Sequence, residues 1–246
     1  RPGEFPVAKG QFIALSGNTG ASKGPHIHLE MHKTKSNNLC DPLNFLKSFI
    51  KDKTAPAVYS FKSYPQPGEG VFQHSSDSRI FTFDKGRFQA WGKVGFGIRA
   101  NDHMDSVYNN YGVRYTRLYC DGKLVFSSDV NNIPVSCNRM VNSWGDYDHF
   151  LHTKIWFMKS FIEPGNTLPI LWAGAYRGII NFNQQRDYHL RYVVSDAFGN
   201  QTVKEFTVHG EPQAIPSVAK PEGELPLYCK KDNDHSRPMS SPYGYN

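Results

Sequence analysis

Along most of this chain, apolar and polar positions alternate in short runs, the period-two signature of strands. Near the start, Phe12, Ala14 and Ser16 alternate with Ile13 and Leu15, and a second run over residues 26–31 sets His26 and His28 against Ile27 and Leu29. Both read as strands. Asp41 and Pro42 then precede apolar positions at helical spacing up to Ile50, which predicts a short helix with Asp41 as its N-cap and Pro42 in its first position. Residues 51–56 are charged and stopped by Pro56, as a linker is. Beyond them, short runs of Val, Tyr, Phe and Thr separated by turn residues predict an all-β sandwich. The clearest hairpin joins residues 113–120 to 123–126 through Asp121-Gly122, a pair suited to a two-residue turn. A second joins residues 188–194 to 203–208, with Leu190, Tyr192 and Val194 facing inward and His189 and Arg191 facing water.

Other stretches carry weaker patterns. Residues 130–152 hold few signals, and 145–150 fit either a loop or a short helix. Asp146, Asp148, His149 and His152 invite a metal reading, but mixed acid and histidine loops are usually only solvated. The run Asn101-Asp102-His103-Met104-Asp105 offers oxygens suited to calcium without the twelve-residue calcium loop, so a loop following a strand is expected. From residue 211 onward, Pro212, Pro216, Pro221, Pro226, Pro238 and Pro242 recur with little hydrophobic periodicity. Such a tail cannot build its own core and is expected to lie extended along this chain or an envelope protein partner.

Composition narrows the classes. The 246 residues include 39% hydrophobic and 14% aromatic positions, enough apolar surface to exclude wholesale disorder. A net charge of +6 favours an anionic partner, yet the chain has neither a basic run nor a nucleic-acid module, so no nucleic acid partner is expected. No apolar run reaches the ~18 residues of a membrane span. The four cysteines, Cys40, Cys120, Cys137 and Cys229, form no C-x-x-C pair, which argues against a zinc ribbon. In an exported protein they allow three complete pairings, and a Cys120–Cys137 bridge between a hairpin end and the following loop is the preferred one.

The chemistry concentrates in Ser16-Gly17-Asn18-Thr19-Gly20 and Gly24-Pro25-His26-Ile27-His28-Leu29-Glu30. On a strand, His26 and His28 point to the same side with Cα atoms ~6.5–7 Å apart. Two imidazoles over one spot suit zinc, whose catalytic sites use about three protein ligands and an open position for water. An isolated H-x-H is weak evidence for a metal. The surrounding block, residues 7–46, resembles the C-terminal part of the lysostaphin/LytM-type zinc endopeptidases in its S-G-N-T-G and G-P-H-x-H-x-E pieces.

That resemblance implies that His28 is a zinc ligand and His26 the catalytic histidine, which assists the metal-bound water or stabilises the tetrahedral intermediate. Glu30 would orient a ligand from behind, or stand as a surface carboxylate. The family's other two ligands come from an H-x-x-x-D motif far upstream. None of the ten histidines here has an aspartate four residues later, so this chain holds only half a zinc site. With Arg1 in place of an initiator methionine and the glycines around the histidines intact, a piece of a longer protein is expected rather than a degenerate relative. The resulting expectation is all-β, with the C-terminal part of a lysostaphin-type peptidase domain in residues 1–50, an immunoglobulin-like sandwich in 55–210 and an extended tail in 211–246. The implied activity is zinc-dependent endopeptidase cleavage of peptidoglycan peptide cross-links, in the periplasm or at the cell envelope or outer-membrane surface. The alternative is a non-catalytic envelope scaffold or binding subunit that keeps the peptidase fold for docking. A biotinyl or lipoyl carrier is disfavoured, because no lysine sits between hydrophobic residues at a hairpin tip.

Overall fold

Within Arg87–Asn101 the alternate positions Phe88, Ala90, Val94, Phe96, Ile98 and Ala100 are all apolar and all buried. This stretch is the centre of the fold. The computed structural model describes residues 5–18 and 24–218 and is all-β in class, with one curled sheet. A small hairpin pairs β1 (Met31–His32) with β2 (Leu39–Cys40). The main sheet holds β3 (Ala57–Phe72), β4 (Arg79–Phe81), β5 (Arg87–Asn101), β6 (Tyr115–Cys120), β7 (Lys123–Asp129), β8 (Met158–Lys159), β9 (Leu171–Ala173), β10 (Ile180–Phe182), β11 (Asp187–Ser195) and β12 (Gln201–Gly210). Its order is β4-β3-β5-β12-β11-β6-β7-β9, with β8 and β10 paired to β5 off this path.

β5 sets the curvature because its pairing changes along its length. One edge runs against β3, while residues 87–90 pair in parallel with β12, residues 92–94 pair with β10, and residues 97–98 pair with β8. A break in register between Pro65 and Gly70 bends β3 at the same level. There Gly70 faces Gly92, and a Cβ on Gly70 would stand 2.0 Å from Lys93 O, while one on Gly92 would stand 2.1 Å from Glu69 O. Gly92 also holds φ +76°, a conformation that side chains with a Cβ adopt at a cost. Only glycine lets the two backbones approach this closely.

Phenylalanines fill the space that the curl encloses. Phe61 stacks on Phe206 with centroids 4.5 Å apart and meets Phe88 edge to face at 5.1 Å, and all three are buried. Each such ring contributes ~1.5–3 kcal/mol by leaving water. Tyr192 is buried too and satisfies its hydroxyl by donating to Ser160 Oγ at 2.9 Å.

Both expected hairpins are present. Asp121 (φ 50°) and Gly122 (φ 76°) turn β6 into β7 with two positive φ angles, as a right-twisting two-residue loop requires. In the β11–β12 hairpin Leu190, Tyr192 and Val194 are buried and His189 is exposed. Residues 147–153 resolve into a helix, α3 (Tyr147–Thr153), following α2 (Val141–Trp144). The helix expected after Asp41 forms as a single turn, α1 (Leu43–Leu46). Leu43 N–H donates to Asp41 Oδ1 at 2.9 Å, but the N-cap position falls to Pro42, one residue later than expected, and carries no side-chain cap.

Two expectations are corrected. Residues 12–16 and 26–30 carry no strand, and the paired strand begins only at Met31. A strand persists when a neighbour takes its N–H and C=O groups. Among the described residues these stretches share one long backbone bond, from His26 N–H to Gly17 O at 3.4 Å. The expected Cys120–Cys137 bridge is also absent, and Cys40, Cys120 and Cys137 are all free thiols. Cys120 and Cys137 instead pack separately against the core. Burial, followed by the neighbouring Asp121 carboxylate, pushes the Cys120 thiol up to about 12. Residues 219–246, with most of the proline-rich tail and Cys229, lie outside the described residues. No helix among the described residues is long and apolar enough to cross a membrane.

Candidate functional site

From residue 26 to 32 polar and apolar side chains alternate without a break: His26, His28, Glu30 and His32 against Ile27, Leu29 and Met31. The polar series organises around Glu30. His28 Nε2 donates to Glu30 Oε1 at 2.9 Å, and His32 Nε2 donates to Glu30 Oε2 at 3.0 Å. His32 Nδ1 also donates to Asn37 O, at 3.2 Å. Both ring nitrogens of His32 face oxygen acceptors, which favours its protonated form. The Glu30 bond and then the Asn37 carbonyl hold its pKa above the usual histidine value, while His32 and then His28 hold Glu30 below the usual carboxylate range.

These bonds also select tautomers. A carboxylate only accepts, so His28 carries its proton on Nε2 and its lone pair on Nδ1. His26 Nδ1 bonds to Gly24 O at 3.0 Å, and a carbonyl likewise only accepts, which places the lone pair of His26 on Nε2. His28 therefore has one nitrogen oriented by the chain and one carrying a lone pair.

The base of this segment is fastened to the main sheet. Leu39 and Ile133 exchange two backbone hydrogen bonds, at 2.8 and 2.9 Å. Asn38 Nδ2 donates to Asn132 Oδ1 at 3.1 Å, and Asn131 Oδ1 accepts from Asp41 N at 3.0 Å and from Asn44 Nδ2 at 3.1 Å. Arg114 Nη1 donates to Asp41 Oδ2 at 2.7 Å. A cavity of about 560 Å³, lined by Leu39, Pro42, Ile50, Tyr111, Val113 and Val130 among others, lies behind this attachment. Ahead of it, Phe5, Val7, Phe12, Ile13, Leu15, Ile27 and Leu29 are exposed.

No protein-family model matches this chain, and no curated protein or solved structure matches it either.

Zinc needs more donors than this site supplies. His28 fits as one ligand by its oriented nitrogen, but among the described residues no third histidine or acid converges on His26 and His28. The residues fit half a site. The other sequence candidates separate as well. Asp146 is committed to Lys62 and Tyr64, at 2.6 and 2.8 Å, and it caps α3 by accepting from His149 N–H. Asp148 projects into solvent, and His152 bonds to the Asp148 carbonyl at 2.8 Å. No metal set forms in 146–152. Within 101–105, by contrast, Asp102 joins Asp52 and Asp196 in a buried acidic group. Sequence reasoning noted Asp102 and missed its partners, because 50 and 94 residues of chain separate it from them.

Proposed function

We propose that this chain carries the C-terminal part of a zinc endopeptidase of the lysostaphin/LytM type, acting on peptidoglycan peptide cross-links and followed by an immunoglobulin-like accessory domain. The observation that carries the reading is the His28–Glu30 bond within G-P-H-x-H-x-E, which leaves His28 Nδ1 as a donor backed by a carboxylate. The exposed apolar side chains of residues 5–29 add support, since a covering layer of the same domain would bury them. When bound, zinc would lower the pKa of its water to ~7 and polarise the scissile carbonyl. His28 would hold the ion, His26 would handle the proton or the oxyanion, and Glu30 would fix the His28 ring. The remaining ligands must come from outside the described residues. In this reading the protein is exported to the periplasm or cell envelope, with peptidoglycan as its partner.

A second reading is a non-catalytic envelope scaffold, favoured by the lack of a third ligand at His28 among the described residues. Zinc content and turnover of purified cell-wall material by the full-length protein separate the two. The peptidase reading expects stoichiometric zinc and cleavage in the wild type, His28→Ala losing both, and His26→Ala keeping zinc while losing ~100- to 10,000-fold in rate. A wild-type protein that neither binds zinc nor cleaves cell wall establishes the scaffold.

A further inference from the structure

Asp52, Asp102 and Asp196 are 7%, 3% and 1% exposed, and each offers a carboxylate oxygen within 4.8 Å of the other two. They come from three places: the linker after α1, the residue following β5, and the turn between β11 and β12. Much of their hydrogen-bonding capacity is spent within the chain. Asp52 Oδ1 accepts from Thr54 N–H at 3.0 Å. Asp196 Oδ1 accepts from the N–H groups of Phe198, Gly199 and Asn200 at 2.7–2.9 Å, and its Oδ2 accepts from Asn200 Nδ2 at 2.7 Å. Asp52 Oδ2 and Asp102 Oδ1, however, are buried and have no hydrogen-bond partner among the described residues. Among the described residues no lysine or arginine forms an ion pair with any of the three. Asp105 stands beside Asp52 and acts on it in two directions, its backbone N–H favouring the Asp52 carboxylate and its own charge opposing it.

Buried carboxylate oxygens without a donor are costly unless a cation or ordered water meets them. A water could satisfy two lone pairs but would leave the mutual repulsion of the carboxylates in place, and burial together with neighbouring Asp196 already pushes Asp102 up to about 6. A divalent cation satisfies both demands. All-oxygen donors select a hard ion rather than zinc, and an enclosed site of irregular geometry suits calcium, which tolerates flexible coordination and sheds its water more readily than magnesium.

We propose that Asp52, Asp102 and Asp196 form a calcium site that clamps the linker to the end of β5 and to the β11–β12 turn. The remaining positions in its shell are filled by water or carbonyl oxygens. Asn200 already joins two of the three parts by donating from Nδ2 to Asp52 O at 3.2 Å and to Asp196 Oδ2. The ion completes this junction and fixes the chain between the histidine segment and the sheet. The site is independent of zinc and of the peptidase reading.

The test uses the whole chain stripped of metal by EDTA and exchanged into chelator-free buffer, with calcium chloride and magnesium chloride as probes. Titration calorimetry should give one calcium per chain with a Kd no weaker than about 1 mM, the range of extracellular calcium modules, and weaker magnesium binding. Thermal unfolding should move up by several degrees with saturating calcium. Limited trypsin digestion at Lys51 and Lys53 should slow when calcium is added. Asp102→Asn removes one charge while keeping the shape, so it should stay folded by circular dichroism and be at least as stable as wild type without metal. It should also lose the calcium response by ~10-fold or more in affinity. Asp52→Asn serves as the second variant should Asp102→Asn fail to fold, with the same expected loss. A wild-type chain with no calcium heat and no thermal shift overturns the proposal, as does a folded Asp102→Asn or Asp52→Asn variant that responds like wild type.

Discussion

Arg114 donates to Asp41 over 2.7 Å, and with their side chains 7% and 15% exposed the pair is largely shielded from water. Asp41 thereby holds the turn of α1 with one oxygen and the sheet with the other. Arg114 also reaches the more exposed Asp129. Removing Arg114 strands the buried Asp41 charge, and Arg114→Ala should cost ~3–5 kcal/mol. Asp41→Asn leaves Arg114 its Asp129 partner and should cost less, ~1–3 kcal/mol. Urea denaturation of the two variants checks the order, and equal costs would show that the contact with Asp41 dominates both.

Asp146 ties together two elements, since it accepts from Lys62 Nζ and Tyr64 OH on β3 and caps α3. Burial raises its pKa, but the bonds from Lys62 and Tyr64 outweigh burial and leave it below the usual carboxylate value of 3.8. A depressed folded pKa adds stability above the unfolded value, and that stability is lost as pH falls through the folded one. Stability should therefore decline on acidification below about 4. Asp146→Asn should remove this part of the decline and, by leaving Lys62 buried without a counter-charge, cost ~3–5 kcal/mol at neutral pH. Denaturation midpoints from pH 7 down to 3 on both proteins measure it.

In the core, Phe61→Ala should cost ~3–5 kcal/mol, because Phe61 lies fully buried among Phe72, Phe88, Phe96 and Phe206. Gly92→Ala tests the bend itself. Its new methyl would meet Glu69 O at 2.1 Å with φ at +76°, so the loss should exceed the ~1 kcal/mol usual for a glycine substitution. Gly17→Ala, where a Cβ meets nothing within 4 Å, is the control and should leave the thermal midpoint unchanged.

The parts of this fold legible in sequence are those whose information is local. Asp121-Gly122 dictates its turn through two positive φ angles, and the alternation from Phe88 to Ala100 needs only a strand to explain it. The unbroken pattern from His26 to His32 is equally regular, yet its ladder begins only at Met31, because a strand depends on a neighbour and not on the pattern. The cysteines misled for a related reason: an even count suggests bridges, but it does not bring Cys120 and Cys137 together. Asp52, Asp102 and Asp196 meet only once β5, the linker and the β11–β12 turn have converged, a relationship with no periodic trace.

The histidine segment yields the last prediction, which concerns the carboxylate rather than the ligand. Glu30 Oε1 draws the His28 proton to Nε2, and without it a solvated imidazole samples both tautomers. Long-range ¹H–¹⁵N NMR of the wild-type chain should show His28 as the Nε2–H form, and Glu30→Ala should show a mixture. In the full-length protein the same substitution should weaken zinc binding ~10- to 100-fold, the usual loss when a carboxylate behind a histidine ligand is removed. His32→Ala is the contrast, because it removes the second donor to Glu30 and leaves the His28 bond in place. It should keep the Nε2–H form and the zinc affinity. Loss of both in His32→Ala as well would mean that His32 positions Glu30. An unchanged tautomer in Glu30→Ala would remove the basis for assigning Nδ1 of His28 to the metal.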